Sequence, residues 1–126
     1  MDNVQKILIT GASGLLGANL VRHYAPRSEC TGWYASNPIT IDGAKLERID
    51  ITDHESVSIA LARIHPDLII HCAAATNVEW CEQNPKRAKA INEEATAFLA
   101  DQAAQFDSKF VFTSTDSVFG GKKERY

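Results

Sequence analysis

The chain has 126 residues, 44% hydrophobic and 23% charged, the usage of one globular domain rather than of a disordered segment. Its 13 basic and 16 acidic residues leave a net charge of −3, so no basic field argues for a nucleic-acid partner. No run approaches the roughly 18 uninterrupted apolar residues of a membrane span, and Met1-Asp2-Asn3-Val4-Gln5-Lys6 lacks the basic start and long apolar core of a signal peptide, so no membrane partner is expected and the chain reads as cytoplasmic.

Residues 7–10 form a short apolar run expected to be a buried first strand, and residues 15–24 an apolar-periodic helix stopped by Pro26. Between them lies Gly11-Ala12-Ser13-Gly14-Leu15-Leu16-Gly17. Taken alone, a glycine triplet is equally an ordinary turn. In a strand-turn-helix setting its members have separate tasks: Gly11 permits the sharp turn, Gly14 lets a pyrophosphate approach the backbone, and Gly17 lets the helix pack closely on the sheet. The free N–H groups and positive dipole end of the helix then face phosphates.

Residues 29–35 read as a second strand, followed by turn chemistry at Ser36-Asn37-Pro38, and residues 46–50 as a short third strand. Thr52-Asp53-His54-Glu55 fits a capping box, with Thr52 as the cap and Glu55 reaching back. Val57, Ala60, Leu61 and Ile64 give the helix that follows its buried face, and Pro66 ends it. Residues 67–72 are continuously apolar after Asp67, as a strand covered on both faces requires. Asn84-Pro85 starts a long helix with proline in its first turn, and Ala88, Ile91, Ala95, Phe98, Leu99 and Phe106 keep its stripe. Residues 110–113 are the last strand and residues 116–126 are loop-like.

The three cysteines, Cys30, Cys72 and Cys81, show no CxxC spacing, so neither a disulfide framework nor a zinc site is expected, and Cys72 reads as a small core residue. No pair of the four histidines has metal-ligand spacing. His71, inside a strand, reads as a satisfied core histidine rather than a catalytic one.

This alternation implies an α/β fold, a doubly wound parallel sheet of the Rossmann type, ending after about the fifth strand, over a single domain of residues 1–126. Right-handed crossovers put the ligand crevice at the carboxyl ends of the strands. That edge carries residues 11–17, Asp50, residues 73–76 and residues 114–116, which are far apart in sequence. Read without any family knowledge, Ser114, Thr115 and Asp116 are either part of a site or a loop that only terminates the strand.

Four motifs together resemble the extended short-chain dehydrogenase/reductase superfamily: Thr10 through Gly17, Asp50-Ile51-Thr52-Asp53, Asp67 through Thr76, and Ile91-Asn92-Glu93-Glu94-Ala95-Thr96. Within it, Ser114-Thr115-Asp116-Ser117-Val118-Phe119 resembles the signature of dTDP-4-dehydrorhamnose reductases, with Ser117 where tyrosine is usual. The resemblance implies that Gly11, Ser13, Gly14, Leu15, Leu16 and Gly17 hold the pyrophosphate and that Asp50 and Ile51 meet adenine. It places Ala73, Ala74, Ala75 and Thr76 along the ribose and nicotinamide, with Asn92 and Thr113 supporting the cofactor site. Thr115 would bond the substrate carbonyl as a catalytic hydroxyl, with Asp116 beside it at the sugar.

What this implies is an NAD(P)H-dependent reductase of a 4-keto nucleotide-diphospho-sugar in rhamnose formation. The alternatives are an NAD-dependent nucleotide-sugar epimerase or dehydratase, and a non-catalytic subunit like the regulatory subunits of methionine adenosyltransferase. No tyrosine here is followed by lysine in the family's Tyr-x-x-x-Lys spacing. The chain is therefore expected to be the inactive amino-terminal part of a longer enzyme, with apolar surface at Phe110 and Phe112 that favours self-association. Cofactor choice stays open between NADH and NADPH: Gly32 through Asn37 offers neither the acidic nor the basic residue that reads the ribose, although Ser36 and Asn37 are able to bond a hydroxyl or a phosphate.

Overall fold

The computed structural model describes residues 5–114. Five parallel strands, β1 (Lys6–Thr10), β2 (Glu29–Tyr34), β3 (Lys45–Arg48), β4 (Leu68–His71) and β5 (Lys109–Phe112), lie in the order β3-β2-β1-β4-β5. The chain winds outward from β1 to β3, then returns to place β4 on the other side of β1. The order therefore reverses between β1 and β4, the switch point of a doubly wound sheet. In register, Thr10 sits beside both Trp33 and His71, and Tyr34 beside Arg48, so the carboxyl ends of four strands share one rim.

Alternation along β1 divides the core. Ile7 and Ile9 face one side and pack with Val21 and Ala18 of α1 (Leu15–Tyr24); Leu8 faces the other with Leu61 of α2 (His54–Ile64) and Leu99 of α5 (Ala95–Gln105). All of these are buried, and every one but Ala18 is at no more than 1% exposure. A sheet covered on both faces explains the unbroken apolar character of β1 and β4. Ser58 of α2 donates to Gln102 of α5 at 3.0 Å, which satisfies a buried amide between the two helices.

Several expectations are corrected, beginning with a helix cap. Asp53, not Thr52, caps α2: its side chain accepts from the Ser56 N–H at 3.2 Å and the Ser56 hydroxyl at 2.8 Å. These bonds, the Ser56 hydroxyl foremost, hold the Asp53 carboxyl below its ordinary range. The Thr52 hydroxyl donates instead to Asp50, at 2.6 Å. The second correction is a short helix, α3 (Val78–Gln83), capped by the Asn77 side chain on Trp80 N, where no helix was expected. The third concerns the helix that starts at Pro85. It begins as α4 (Pro85–Lys89), passes through a π-helical segment at Ala90–Glu94 and only then becomes α5. β3 also ends at Arg48, two residues before the expected limit.

β5 pairs only with β4 among the described residues. Val111 and Phe112 are each 48% exposed, whereas Phe110, expected to be exposed, packs on the core beneath α5. No described helix is long and apolar enough to cross a membrane.

Candidate functional site

A cleft of about 850 Å³ opens at the carboxyl ends of the strands, over the switch point. Gly11, Ser13, Gly14, Leu15, Leu16 and Gly17 form one wall, Asp50 and Ile51 another, and Ala73, Ala74, Ala75 and Thr76 a third. Twelve of the residues expected to hold the cofactor thus line one cavity.

The glycines of the first wall differ in what they serve. Gly11 has φ +70°, and a Cβ there would meet Ala73 N at 2.8 Å. At Gly17 a Cβ would lie 1.9 Å from the Gly11 carbonyl oxygen, so helix and turn approach as closely as backbone allows. Gly14 is different: its φ of −80° suits any residue, and a Cβ would meet nothing nearer than the Gly11 oxygen at 3.4 Å. Neither the backbone conformation nor the packing around residue 14 requires glycine there, and the space beside it opens on the cleft. Gly14 is also the N-cap of α1, with no side-chain cap and no acidic residue in the first turn. The first-turn N–H groups are left to a ligand, at the positive end of an uncompensated helix dipole.

Asp50 stands at the rim of the second wall. Its Oδ1 accepts from Thr52 N at 3.0 Å and from the Thr52 hydroxyl, which fixes the carboxylate at the rim. Along the third wall, the side-chain amide of Asn92 in the π segment grips the Ala75 peptide. Asn92 Oδ1 accepts from Ala75 N at 2.8 Å and Asn92 Nδ2 donates to Ala75 O at 3.0 Å. Asn92 itself does not line the cavity; it acts on it through Ala75.

Beneath this wall runs a hydrogen-bond chain centred on His71, which is fully buried. The hydroxyl of Thr96 donates to Asn92 O at 3.0 Å, so its oxygen must accept from His71 Nε2, also at 3.0 Å. His71 Nδ1 is then the acceptor, taking the Thr10 hydroxyl proton at 2.6 Å. The Thr10 oxygen in turn accepts from Cys72 N and Ala73 N, each at 3.0 Å. The partners leave one consistent tautomer, and burial pushes the imidazole pKa down to about 4, so it stays neutral. His71 is thus the satisfied core histidine the sequence suggests, and the chain it anchors ties the glycine turn, β4 and the π segment together.

Thr113 does not line the cavity either: its N–H and hydroxyl both donate to His71 O, at 3.2 and 3.0 Å. Cys72 departs from its expected burial, being half-buried and part of the cavity wall. Ser114 is exposed, and Thr115 and Asp116 lie outside the described residues. Two charged cavity residues escaped the sequence reading, Arg48 and Arg87. Neither belongs to a recognisable local motif; the sheet order brings Arg48 in, and the helix after α3 brings Arg87. Among the described residues no cluster of His, Cys, Asp and Glu could hold a metal ion.

A five-stranded parallel sheet, a glycine turn at the first strand and a ligand cleft at the switch point define a Rossmann-type dinucleotide-binding fold. The chain belongs to the RmlD substrate binding domain family, whose family model matches residues 5–126. It is 40% identical over 119 residues to the probable low-salt glycan biosynthesis reductase Agl14 of Haloferax volcanii, covering 94% of this chain and 39% of that protein. It is 30% identical to methionine adenosyltransferase 2 subunit beta of Mus musculus, covering 97% of this chain and 36% of that protein. Among solved structures, a hypothetical dTDP-4-dehydrorhamnose reductase from Sulfolobus tokodaii superposes with a TM-score of 0.86 at 38% identity, over 97% of this chain and 43% of that one. A UDP-glucose 4-epimerase of Thermus thermophilus, in complex with NAD, gives a TM-score of 0.78 at 26% identity, over 86% and 37% of the two chains. The chain therefore spans less than half the length of these proteins.

Proposed function

We propose that this chain is the cofactor-binding portion of an NAD(P)H-dependent reductase acting on a 4-keto nucleotide-diphospho-sugar of the dTDP-4-dehydrorhamnose type. The observation that carries the reading is Gly14, a glycine the protein does not need for itself, at an uncapped helix N-terminus in a cleft. A pyrophosphate fits that place by size and by charge. When bound, the dihydronicotinamide supplies a hydride. The chain's own residues hold the cofactor: α1 grips the pyrophosphate, Asp50 accepts from the adenine amine, and the Ala73–Thr76 wall, steadied by Asn92, lets the ribose and nicotinamide lie close. Thr115 would bond the C4 carbonyl of the substrate and Asp116 a sugar hydroxyl. The Tyr-x-x-x-Lys spacing does not occur in these 126 residues, so no acid/base role is assigned to a tyrosine of this chain.

The similarity to methionine adenosyltransferase 2 subunit beta favours a second reading, in which a bound dinucleotide is structural and an enzyme is the partner. One set of measurements separates the readings. The full-length protein, given dTDP-4-dehydrorhamnose and either reduced cofactor, should oxidise the cofactor. No oxidation, with a co-purifying enzyme instead, supports the subunit reading; stoichiometric NAD retained through purification supports an epimerase or dehydratase.

A further inference from the structure

Two walls of the cleft meet on one buried imidazole. The first wall leaves β1 at Thr10, and a Cβ on Gly11 would meet Ala73 N at 2.8 Å, so the glycine turn touches the third wall. The Thr10 hydroxyl oxygen holds that contact by accepting from Cys72 N and Ala73 N, and its proton goes to His71 Nδ1. From the other edge of the ring, Nε2 donates to Thr96. The Thr96 hydroxyl donates to the backbone carbonyl of Asn92, whose side chain clamps the Ala75 peptide. The relay therefore runs from the glycine turn, through β4, to the far part of the third wall.

Thr96 is the one link of this relay on α5. It follows Asn92 by one helical turn, where the π segment gives way to α5, and it does not line the cavity. The ring it serves has apolar neighbours, the Phe110 and Phe112 rings at 6.0 and 5.8 Å between centroids. Among the described residues the polar partners of the His71 side chain are the two threonine hydroxyls. Without the Thr96 oxygen, a buried N–H loses its acceptor and the Asn92 backbone loses its tie to β4. We infer that Thr96 is a positioning residue for the dinucleotide: acting through His71 and Asn92, it holds the Ala73–Thr76 wall at its distance from the glycine turn. The inference rests on the dinucleotide reading above and adds to it a residue that touches no ligand.

The test is calorimetric titration with NADPH, NADH and 5′-ADP, each variant also being unfolded in urea. Thr96→Val keeps the shape and removes the hydroxyl. It should bind the dinucleotides on the order of three- to tenfold more weakly than the native protein, the weight of about one hydrogen bond. Its 5′-ADP affinity should stay within about twofold, because Thr10 keeps its bonds to His71 and Ala73 and the glycine turn stays in place. Thr96→Ser, which restores the hydroxyl, should bind as the native protein does. In an Asn92→Ala background, Thr96→Val should cost no further dinucleotide affinity, since two links of one relay are not additive. His71→Asn keeps an acceptor for Thr10 and drops the donor to Thr96, so it should give the valine pattern, and it replaces that variant if the valine protein does not fold. A lowered urea midpoint with native dinucleotide affinity makes Thr96 a stabilising residue only and overturns the inference. Equal losses for the dinucleotides and 5′-ADP overturn it too, as does full additivity with Asn92→Ala; each of these leaves the dinucleotide reading standing. If the native protein binds neither dinucleotide nor 5′-ADP, the dinucleotide reading fails and this inference with it.

Discussion

Gly17 and Gly11 touch so closely that a Cβ on the first would sit 1.9 Å from the carbonyl oxygen of the second. No side-chain rotation relieves a clash between a Cβ and backbone, so Gly17→Ala must push α1 away from the β1 turn. The helix also carries Ala18 and Val21 into the core against Ile7 and Ile9, and that packing would open. The expected cost is about 1–3 kcal/mol, the range for forced backbone shifts in a packed site. Chemical denaturation followed by circular dichroism measures it; an unchanged midpoint would show that the turn yields freely.

Gly14→Val gives the opposite pattern. Its backbone angles suit valine and nothing in the protein lies in the way, so the fold should lose only about 1 kcal/mol, for a poor N-cap. The valine methyls would stand where the pyrophosphate approaches the helix. Binding of either dinucleotide should fall by more than about tenfold, read by titration beside a melting curve. Retention of native affinity in a folded variant would remove Gly14 from the site.

What the chain reveals locally, and what it hides, follows from the range of the interactions. The runs in β1 and β4 and the glycine turn are legible because each carries its signal within a few residues. The caps are less so: Thr52 and Asp53 are both good N-cap residues, and the choice fell to Asp53 because Asp50 takes the Thr52 hydroxyl. α3 has six residues and none of them is buried, so no apolar stripe announces it. The π segment is a matter of backbone bonding that residue types barely encode. Arg48 is the clearest case. Its place at the cavity comes from β3 lying beside β2, a long-range fact that no window around residue 48 contains.

Asn92 and Ala75 offer a test of positioning without contact. Removing the amide with Asn92→Ala frees Ala75 N and leaves Ala75 O only the weak Cys81 thiol donor, yet Asn92 is exposed and its loss opens no cavity. Stability should change by less than about 1 kcal/mol. Dinucleotide affinity should drop several-fold, on the order of the one or two hydrogen bonds that ordered the wall. Asn92→Asp should be worse than alanine, because a carboxylate accepts from Ala75 N but repels Ala75 O. Amide exchange at Ala75 supplies the direct readout, and protection unchanged in the alanine variant would refute the clamp.

The buried imidazole of His71 sets the last expectation, a stability that depends on pH. Its pKa is about 4 in the folded chain and about 6.5 in a peptide, so between those values the unfolded state takes up a proton that the folded state refuses. The folded pKa is the depressed one. Stability is therefore fully present above about pH 6.5 and is lost as the pH falls towards 4, by about 3 kcal/mol in all. Protonation at Nδ1 would set two donors facing each other, since the Thr10 hydroxyl already points its proton there. Exposed carboxylates such as Asp53, whose pKa is lowered by its cap bonds, add to acid unfolding, so the histidine is isolated by difference. Urea midpoints from pH 7 to pH 4, compared between the native chain and His71→Gln, make that difference. The glutamine variant should start less stable at pH 7 and lose less on acidification. Parallel pH profiles for the two proteins would show that His71 does not carry the dependence.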